Sequence, residues 1–486
     1  MGDAAREEPG GQPGGISGGL RLNKLGHLEM AGVDLAALAR RLGTPLYVLD
    51  EGVVRAQCRR YVGALSVNYP RWDVAYASKA LSNKAVIGIV RQEGLSLDVV
   101  SGGELYTAIS AGFPPGRVYF HGNNKSDDEI MFGLECNVGR FVVDSVTEFE
   151  VIQRMAKSRG TAVDILVRTR PGIEAHCHEY VRTGASDSKF GVSFEEALYI
   201  SRLASRCENT RLRGLHCHIG SQVLETEPFG AAAVTMVQAL VAVRREVWKT
   251  RGRVPDRDLP DELDLGGGLG VADATGARPP SIEEYVRTVC EAVKCEWRRL
   301  NRDAPETVER GGQRLPALPK IILEPGRSIV NAAGVTLYTV GGAKVSGNRR
   351  RYVFVDGGMA DNPRPALYGA KYSAVLANRA SEKPELEYRI VGKCCESGDV
   401  LVERALLPRV RRGDILAVMG TGAYNYSMSS NYNRLPRPAM VLVYDGAWDV
   451  VVRRETYEHL SALDVLPPRL YAGEARQEAG RAAANE

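Results

Sequence analysis

The chain has 486 residues, which is enough for two domains but short for three. Its formal net charge is only +4 and its basic and acidic residues are interleaved, so no basic stripe indicates a nucleic-acid partner. No apolar run approaches the roughly 20 residues that span a bilayer, so we expect no membrane segment. We therefore expect a small-molecule partner.

The N-terminal tail and the cysteines indicate the compartment. Residues 1–20 are Gly-rich and lack the apolar core of a signal peptide, which argues against export. The nine cysteines are scattered along the chain, unlike the dense framework of a small secreted domain. We expect a protein of the reducing cytoplasm, with disordered tails at 1–20 and 473–486.

From Trp72 to about Pro325, short β-type runs alternate with amphipathic helical patterns, as in parallel βαβ units. Eight strand and helix pairs predict a closed (β/α)8 barrel. The predicted strands are 72–78, 95–101, 117–122, 140–145, 162–170, 212–221, 261–267 and 320–326. The predicted helices include 102–112, 126–135, 147–160, 193–206, 229–250 and 281–300.

After Arg327 the pattern changes to strand-like runs with little helix, at 352–359, 388–393, 399–407, 414–420 and 439–455. These runs predict a second, mainly β domain, either a β-sandwich or barrel-like. We place the barrel at 46–327 and the β domain at 328–472. Residues 21–45 could join either domain, and we assign them to the second. Residues 249–260 and 301–319 are predicted to be polar insertions.

Functional residues of a barrel lie at the C-terminal ends of its strands, so polar side chains there are candidates. In chain order these are Lys79, Asp98, the histidines 216 and 218, the glycines 266–268, Glu324 and Arg327. We expect them to converge on one rim.

Lys79 and the glycines can each be interpreted in two ways. A lysine after an apolar strand either reaches water or is desolvated, and a desolvated amine attacks carbonyls more readily. Residues 266–268 could hold a phosphate on bare N–H groups or could simply form a tight turn. Glu324 needs a partner at the end of its apolar strand, which could be a protonated ring nitrogen or Arg327.

Two histidine pairs raise the question of zinc. His176 and His178 share one face of an extended segment, as do His216 and His218. No further ligands follow at conventional spacing, and an imidazole beside a phosphate site can instead stack on an aromatic cofactor ring. We therefore predict no metal.

Nine motifs carry a family resemblance, from about Leu46 to the region of Tyr432. In order they are YASKA, DVVSGGEL, HEYVRTGASDSKFG, GLHCHIGSQ, DLGGGLG, EPGRSIV, RPALYG, CESGDV and GAYNYSMSSNYN. With them the chain resembles diaminopimelate decarboxylases, within the alanine-racemase-like and ornithine-decarboxylase-like (fold type III) pyridoxal-phosphate enzymes. The resemblance implies decarboxylation of meso-2,6-diaminopimelate to L-lysine and CO2, the last step of lysine biosynthesis, with pyridoxal 5'-phosphate as cofactor.

The resemblance also implies roles for individual residues. Lys79 would bind the cofactor covalently near Asp98, His218 would stack on its ring, and Glu324 would pair with the ring nitrogen. The cofactor phosphate would be held by Ser221, Gly267, Gly268 and Tyr424. The substrate would be held by Arg327, Arg364, Tyr368, Glu396 and Tyr424. Cys395 would be the proton donor, and Cys395 and Glu396 would enter the site from the other subunit of a homodimer.

Three alternatives remain. A decarboxylase of the same fold could act on ornithine, arginine or carboxynorspermidine, but CESGD and RPALYG resemble the diaminopimelate branch. A racemase would be shorter and would lack CESGD. A non-enzymatic relative that binds partners without cofactor is disfavoured by the presence of Lys79 together with the glycine loop.

Overall fold

The computed structural model describes residues 19–173, 188–252, 259–301, 307–310, 313–316, 318–347 and 349–470. His176 and His178 lie outside the described residues, as do most of the motif at 178–191 and nearly all of both tails.

The N-terminal segment pairs with the C-terminal part of the chain. Strands β1 (Leu20–Leu22), β2 (Leu28–Met30) and β3 (Val33–Asp34) form a small antiparallel sheet, followed by helix α1 (Leu35–Leu42) and strand β4 (Leu46–Asp50). The sequence analysis assigns 46–50 to the barrel, whereas β4 pairs with β15 and β21 in the C-terminal sheet. All five residues of β4 are buried, and such an uninterrupted buried run does not reveal which sheet it joins. The division into domains stays a prediction.

Helix α2 (Glu51–Asn68) leads into an eight-stranded parallel barrel. The strands pair in chain order, and the barrel closes where the last strand meets the first. They are β5 (Trp72–Ala77), β6 (Ser96–Val99), β7 (Val118–Phe120), β8 (Arg140–Val143), β9 (Val163–Arg168), β10 (Thr210–His216), β11 (Glu262–Asp264) and β14 (Lys320–Leu323). Strands β12 (Thr307–Arg310) and β13 (Gln313–Pro316) form a separate hairpin that precedes β14. The predicted (β/α)8 barrel and all eight of its strands are confirmed.

Serine caps define where most of the barrel helices begin. Ser101, Ser126, Ser145, Ser193 and Ser281 each accept the backbone N–H three residues further on, which satisfies an N–H that the helix itself leaves unpaired. The barrel helices are α3 (Lys84–Gln92), α4 (Gly102–Ser110), α5 (Asp127–Cys136), α6 (Val146–Ser158), α7 (Phe194–Ser205), α8 (Glu227–Arg251) and α9 (Ile282–Leu300).

The C-terminal part is mainly β, as predicted. Its elements are α10 (Arg327–Val330), β15 (Gly334–Val345), β16 (Arg351–Val355), α11 (Arg364–Tyr368), β17 (Ala374–Leu376), β18 (Leu386–Val391), β19 (Val400–Leu407), β20 (Ile415–Met419), β21 (Ala439–Tyr444), β22 (Ala447–Val452) and α12 (Tyr457–Ser461). The nine-stranded sheet runs β19-β18-β16-β15-β4-β21-β22, and β20 joins β15 to β17. Among the helices of the described ranges, none has the length and apolar character needed to cross a membrane.

Candidate active site

Each barrel strand brings at least one ionisable side chain to its carboxyl end. In strand order these side chains are Lys79, Asp98, His121, Asp144, Arg168, His216, Asp264 and Glu324. Because the strands are parallel, all eight residues belong to the same rim, which is where barrel enzymes place their active sites. The expected convergence of polar groups is therefore observed.

Lys79 lies directly after β5, with its Nζ 3.3 Å from Oδ2 of the buried Asp98. Burial alone would lower the pKa of Lys79, but the negative charge of Asp98, helped by Tyr424 and Glu324, raises it above its ordinary value. The sequence leaves open whether Lys79 reaches water or is desolvated, and in this structure the contact with Asp98 favours its charged form. Lys79 is an ammonium ion, which becomes a nucleophile only after it loses a proton.

His218 follows β10 and is held by the glycine loop. The backbone N–H of Gly267 donates to Nδ1 of His218 over 3.2 Å. Burial, and then the positive charge of Lys79, lowers the pKa of His218 well below its ordinary value. The ring is therefore neutral, carries its proton on Nε2 and is fixed in orientation at the rim.

The glycines after β11 are required by close packing. A Cβ on Gly267 would lie 2.0 Å from the carbonyl oxygen of Glu324. A Cβ on Gly268, whose φ is +114°, would lie 2.3 Å from the carbonyl oxygen of Gly220. Tight packing thus accounts for both glycines, and their role as phosphate ligands stays a prediction.

Glu324 is buried between two histidines. Nε2 of His121 lies 2.7 Å from its Oε1, although the N–H is not aligned for a good hydrogen bond, and Nε2 of His216 lies 3.2 Å from its Oε2. Burial lowers the pKa of His216 to about 3. Burial also opposes the charge on Glu324, but the two imidazoles hold the pKa of Glu324 well below its ordinary value. The ion pair with Arg327 that the sequence left open is not found among the described contacts.

Asp264 completes a compact cluster with these three residues. One ligand-type atom from each of His121, His216, Asp264 and Glu324 lies within 4.8 Å of the others. Two ligands at zinc distances in a tetrahedral site stand about 3.4 Å apart, whereas His121 and Glu324 approach to 2.7 Å. This contact is shorter than the separation of two ligands on one zinc ion, and the absence of a metal stays a prediction.

A second group of residues brings two arginines together. Arg327 donates from Nη2 to Oγ of Ser221 over 2.9 Å, and its guanidinium lies 4.8 Å from the ring centre of Tyr424. The guanidinium of Arg364 lies 5.4 Å from the ring centres of both Tyr368 and Tyr424. These contacts join five of the residues that the resemblance assigned to phosphate and substrate.

The two arginines form an electropositive site. Burial, and then the charge of Arg364, lowers the pKa of Arg327 to about 10. Nε of Arg327 is buried and has no hydrogen-bond partner among the described residues. Both arginines line a cavity of about 970 Å³. Like charges with an unused donor in a cavity favour an anion there.

Cys395 and Glu396 are exposed on the loop between β18 and β19. The backbone N–H of Cys395 donates to Oδ1 of Asn433 over 2.7 Å, and that of Cys394 donates to Oδ2 of Asp399 over 2.8 Å. Within the described part of the chain, no contact joins Cys395 or Glu396 to Lys79. The structure of one chain therefore does not bring these two residues to the rim site.

Several rim residues were given no role in the sequence analysis. His121 and Asp264 face Glu324, as described above. The guanidinium of Arg168 lies 4.5 Å from the ring centre of Phe190, with its Nε 3.8 Å from Asp144. In the structure each of these charged residues ends or directly follows a barrel strand, whereas the predicted strands continue past all of them. The rule that singled out Lys79 would therefore have found them only if the strand ends had been placed correctly.

Comparisons with known proteins agree with this geometry. Residues 51–331 match the family "pyridoxal-dependent decarboxylase, pyridoxal binding domain". The diaminopimelate decarboxylase of Bacillus subtilis (strain 168) is 45% identical over 452 residues, which cover 93% of this chain and 98% of that protein.

Solved structures of decarboxylases are also similar to this chain. Diaminopimelate decarboxylase from M. jannaschii in complex with L-lysine is 31% identical, with a TM-score of 0.82 over 94% of this chain and 100% of that one. Lysine/ornithine decarboxylase from Vibrio vulnificus complexed with putrescine is 25% identical, with a TM-score of 0.67 over 84% of this chain and 97% of that one. The chain belongs to the diaminopimelate decarboxylase family.

Proposed function

We propose that the protein uses pyridoxal 5'-phosphate to decarboxylate meso-2,6-diaminopimelate to L-lysine and CO2, the last step of lysine biosynthesis. The observation that carries this proposal is the rim cluster of Lys79, Asp98, His218 and Glu324, in a chain 45% identical to a diaminopimelate decarboxylase over 98% of that protein. The free thiols of the described cysteines support a cytoplasmic location.

The residues at the rim fit the cofactor. Buried polar atoms without a hydrogen-bond partner among the described residues include Oδ1 of Asp98 and Nε of Arg327, which suits a site built to receive a polar ligand. Lys79 would bind the cofactor covalently, Glu324 would face its ring nitrogen, and His218 would lie against the ring. Its phosphate would be held by Ser221, Gly267, Gly268 and Tyr424. When bound, pyridoxal phosphate supplies an electron sink for the pair left behind by CO2.

The charges of the chain set up this chemistry before any ligand arrives. Asp98 holds the Lys79 ammonium in place at 3.3 Å, so the amine is oriented before its proton leaves. Glu324, kept ionised by two imidazoles, offers a fixed anion at the end of its strand. The neutral His218 ring adds a flat surface without adding a positive charge beside Lys79.

Substrate selection would depend on the arginines and on a second subunit. Arg327, Arg364 and Tyr368 would bind carboxylate, and Glu396 would bind the distal ammonium group. The Cys395 thiol would deliver a proton to carbon. Because the loop of Cys395 and Glu396 is exposed, we propose a homodimer in which it completes the partner's site.

Product analysis tests the proposal. The purified protein, loaded with cofactor, is incubated separately with meso-diaminopimelate, ornithine and arginine, with Lys79→Ala as control. We expect CO2 and L-lysine from diaminopimelate at the highest specificity constant. A higher constant for ornithine or arginine would move the protein to the polyamine-type decarboxylases.

The attachment residue is tested separately. Borohydride reduction and peptide mapping should place the cofactor on Lys79. Attachment at Lys189, or no bound cofactor, would contradict the site.

A further inference from the structure

Asp264 and Glu324 are two buried carboxyl groups that meet at the rim. Asp264 is fully buried and Glu324 is 4% exposed, and an oxygen of each lies within the same 4.8 Å cluster. Two carboxylates so close together, and both removed from water, do not ionise together, because the second negative charge is repelled by the first and poorly solvated. One of the two therefore keeps a proton.

The surrounding donors decide which one keeps it. Glu324 faces the Nε2 atoms of His121 and His216, at 2.7 and 3.2 Å. Asp264 accepts one backbone N–H, from Gly266 at 3.0 Å, and its Oδ2 has no partner among the described residues. A carboxylate with two imidazole nitrogens within 3.2 Å is a more stable anion than one with a single backbone N–H, so the negative charge belongs on Glu324.

The other charged rim residues have closer partners. From the neighbouring strands, Lys79 is 3.3 Å from Asp98, and Arg168 is 3.8 Å from Asp144. Neither cation forms an ion pair with Asp264 within the described ranges. No lysine or arginine of the described rim therefore compensates a charge on Asp264, which has the backbone N–H of Gly266 as its hydrogen-bond donor.

We propose that Asp264 is a positioning residue: its carboxyl group holds the proton of the pair and leaves Glu324 as the single anion that faces the cofactor ring nitrogen. The identity of the cofactor rests on the proposed function, whereas the proton on Asp264 is a property of the chain alone. In agreement, burial and the charge of Glu324 raise the pKa of Asp264 well above its ordinary value.

Infrared spectroscopy of the full-length protein, freed of cofactor, tests the location of the proton. A protonated carboxyl group has a C=O stretching band separate from those of ionised carboxylates. The spectra are recorded well above the pKa of Asp361, which burial raises to about 7, so that Asp361 does not contribute. We expect a protonated band that Asp264→Asn removes. The control Asp261→Asn, a buried aspartate paired with Arg71, should leave the band in place.

Isotope labelling locates the proton in the wild-type protein, without the need for a variant. Carboxyl-¹³C aspartate should shift the band, and carboxyl-¹³C glutamate should not. A band that survives Asp264→Asn, or that shifts with labelled glutamate, would place the proton elsewhere and overturn the inference. Complete absence of the band would overturn it as well, because both carboxyl groups would then be ionised.

A pair of variants tests the effect on the reaction. Asp264→Asn keeps an uncharged polar side chain of the same size beside Glu324 and should keep kcat within a few-fold of wild type. Asp264→Ala removes the group that packs beside Glu324, so Glu324 is held less well in place and kcat should fall roughly tenfold to a hundredfold, as expected for a misplaced reacting partner. Equal loss in both variants would overturn the positioning role. If diaminopimelate is not the substrate but the band is present, only the proposed function fails.

Discussion

Gly267 and His218 form one structural unit, because the backbone N–H of Gly267 donates to Nδ1 of His218 over 3.2 Å. The loop after β11 therefore fixes the orientation of an imidazole that follows β10. The ring lies beside Lys79, whose charge helps to keep it neutral. A change in the backbone of this loop should consequently alter the orientation of the His218 ring.

Gly267→Ala should impair cofactor binding and stability together. The added Cβ would lie 2.0 Å from the backbone oxygen of Glu324, so either the loop or the end of β14 must shift. We expect a loss of roughly 1–3 kcal/mol in the free energy of unfolding, as for other overpacked sites, and at least tenfold weaker cofactor binding, measured by absorbance titration.

Gly63→Ala in α2 is the matched control, because a Cβ there meets nothing within 4 Å. It should raise stability by about 0.5–1 kcal/mol, since alanine favours a helix interior over glycine, and should leave cofactor binding unchanged. Wild-type cofactor affinity in Gly267→Ala would show that the loop does not organise the site.

Glu324→Gln should slow the reaction without releasing the cofactor. The amide keeps the size of the side chain but removes the anion between His121 and His216. We expect kcat to fall by about 10²–10³, the usual effect of losing one preorganised electrostatic partner. The phosphate contacts are separate, so the amount of bound cofactor should not change. Turnover at the wild-type rate would leave Glu324 with a structural role only.

Much of the barrel and its rim could be predicted because both follow from local patterns. Strand and helix periods gave the eight strands, and the rule for strand ends gave Lys79, Asp98, His218 and Glu324. The sequence could not show that β4 pairs with β15 almost 300 residues later, because a fully buried strand carries no alternation.

Strand β15 itself was missed for a related reason. It is buried almost continuously as far as Val340 and largely exposed from Gly341 onward, so it has no consistent two-residue period. The sequence likewise identifies rim residues without showing which of them are in contact. The contact of His121 with Glu324 depends on the radius and tilt of the closed barrel, which no local pattern contains.

Asp361 should make stability depend on pH. It is buried in the C-terminal part of the chain, where it accepts hydrogen bonds from Tyr338 and from the backbone of Gly358. Burial raises its pKa from 3.8 to about 7. Because the folded-state pKa is the higher one, the folded protein binds this proton more tightly. Its contribution to stability is complete below about pH 4 and is lost as pH rises through 7.

The measurement is urea unfolding of wild type and Asp361→Asn at pH 5 and pH 8. The wild-type free energy of unfolding should fall by roughly 3 kcal/mol more than that of the variant between these two pH values. Because Asn does not titrate, the substitution changes the free energy of unfolding by the same amount at both pH values. Parallel pH dependence in the two proteins would show that Asp361 ionises normally.

Subunit exchange tests whether the site is shared, as the exposed loop of Cys395 and the family resemblance suggest. In a two-fold dimer each interface element occurs twice, so each site would combine Lys79 from one chain with the partner subunit's Cys395. Homodimers of Lys79→Ala and of Cys395→Ala should each be nearly inactive. After random exchange, half of the dimers are mixed, and each mixed dimer has one intact site and one doubly defective site. Activity should therefore recover to roughly a quarter of wild type, by this counting on an isologous dimer.

Mass labelling verifies the exchange, and a mixture of two Lys79→Ala preparations gives the baseline activity. If exchange is complete and activity stays at that baseline, both residues serve the same chain's site or Cys395 is not the proton donor, and the shared-site proposal fails.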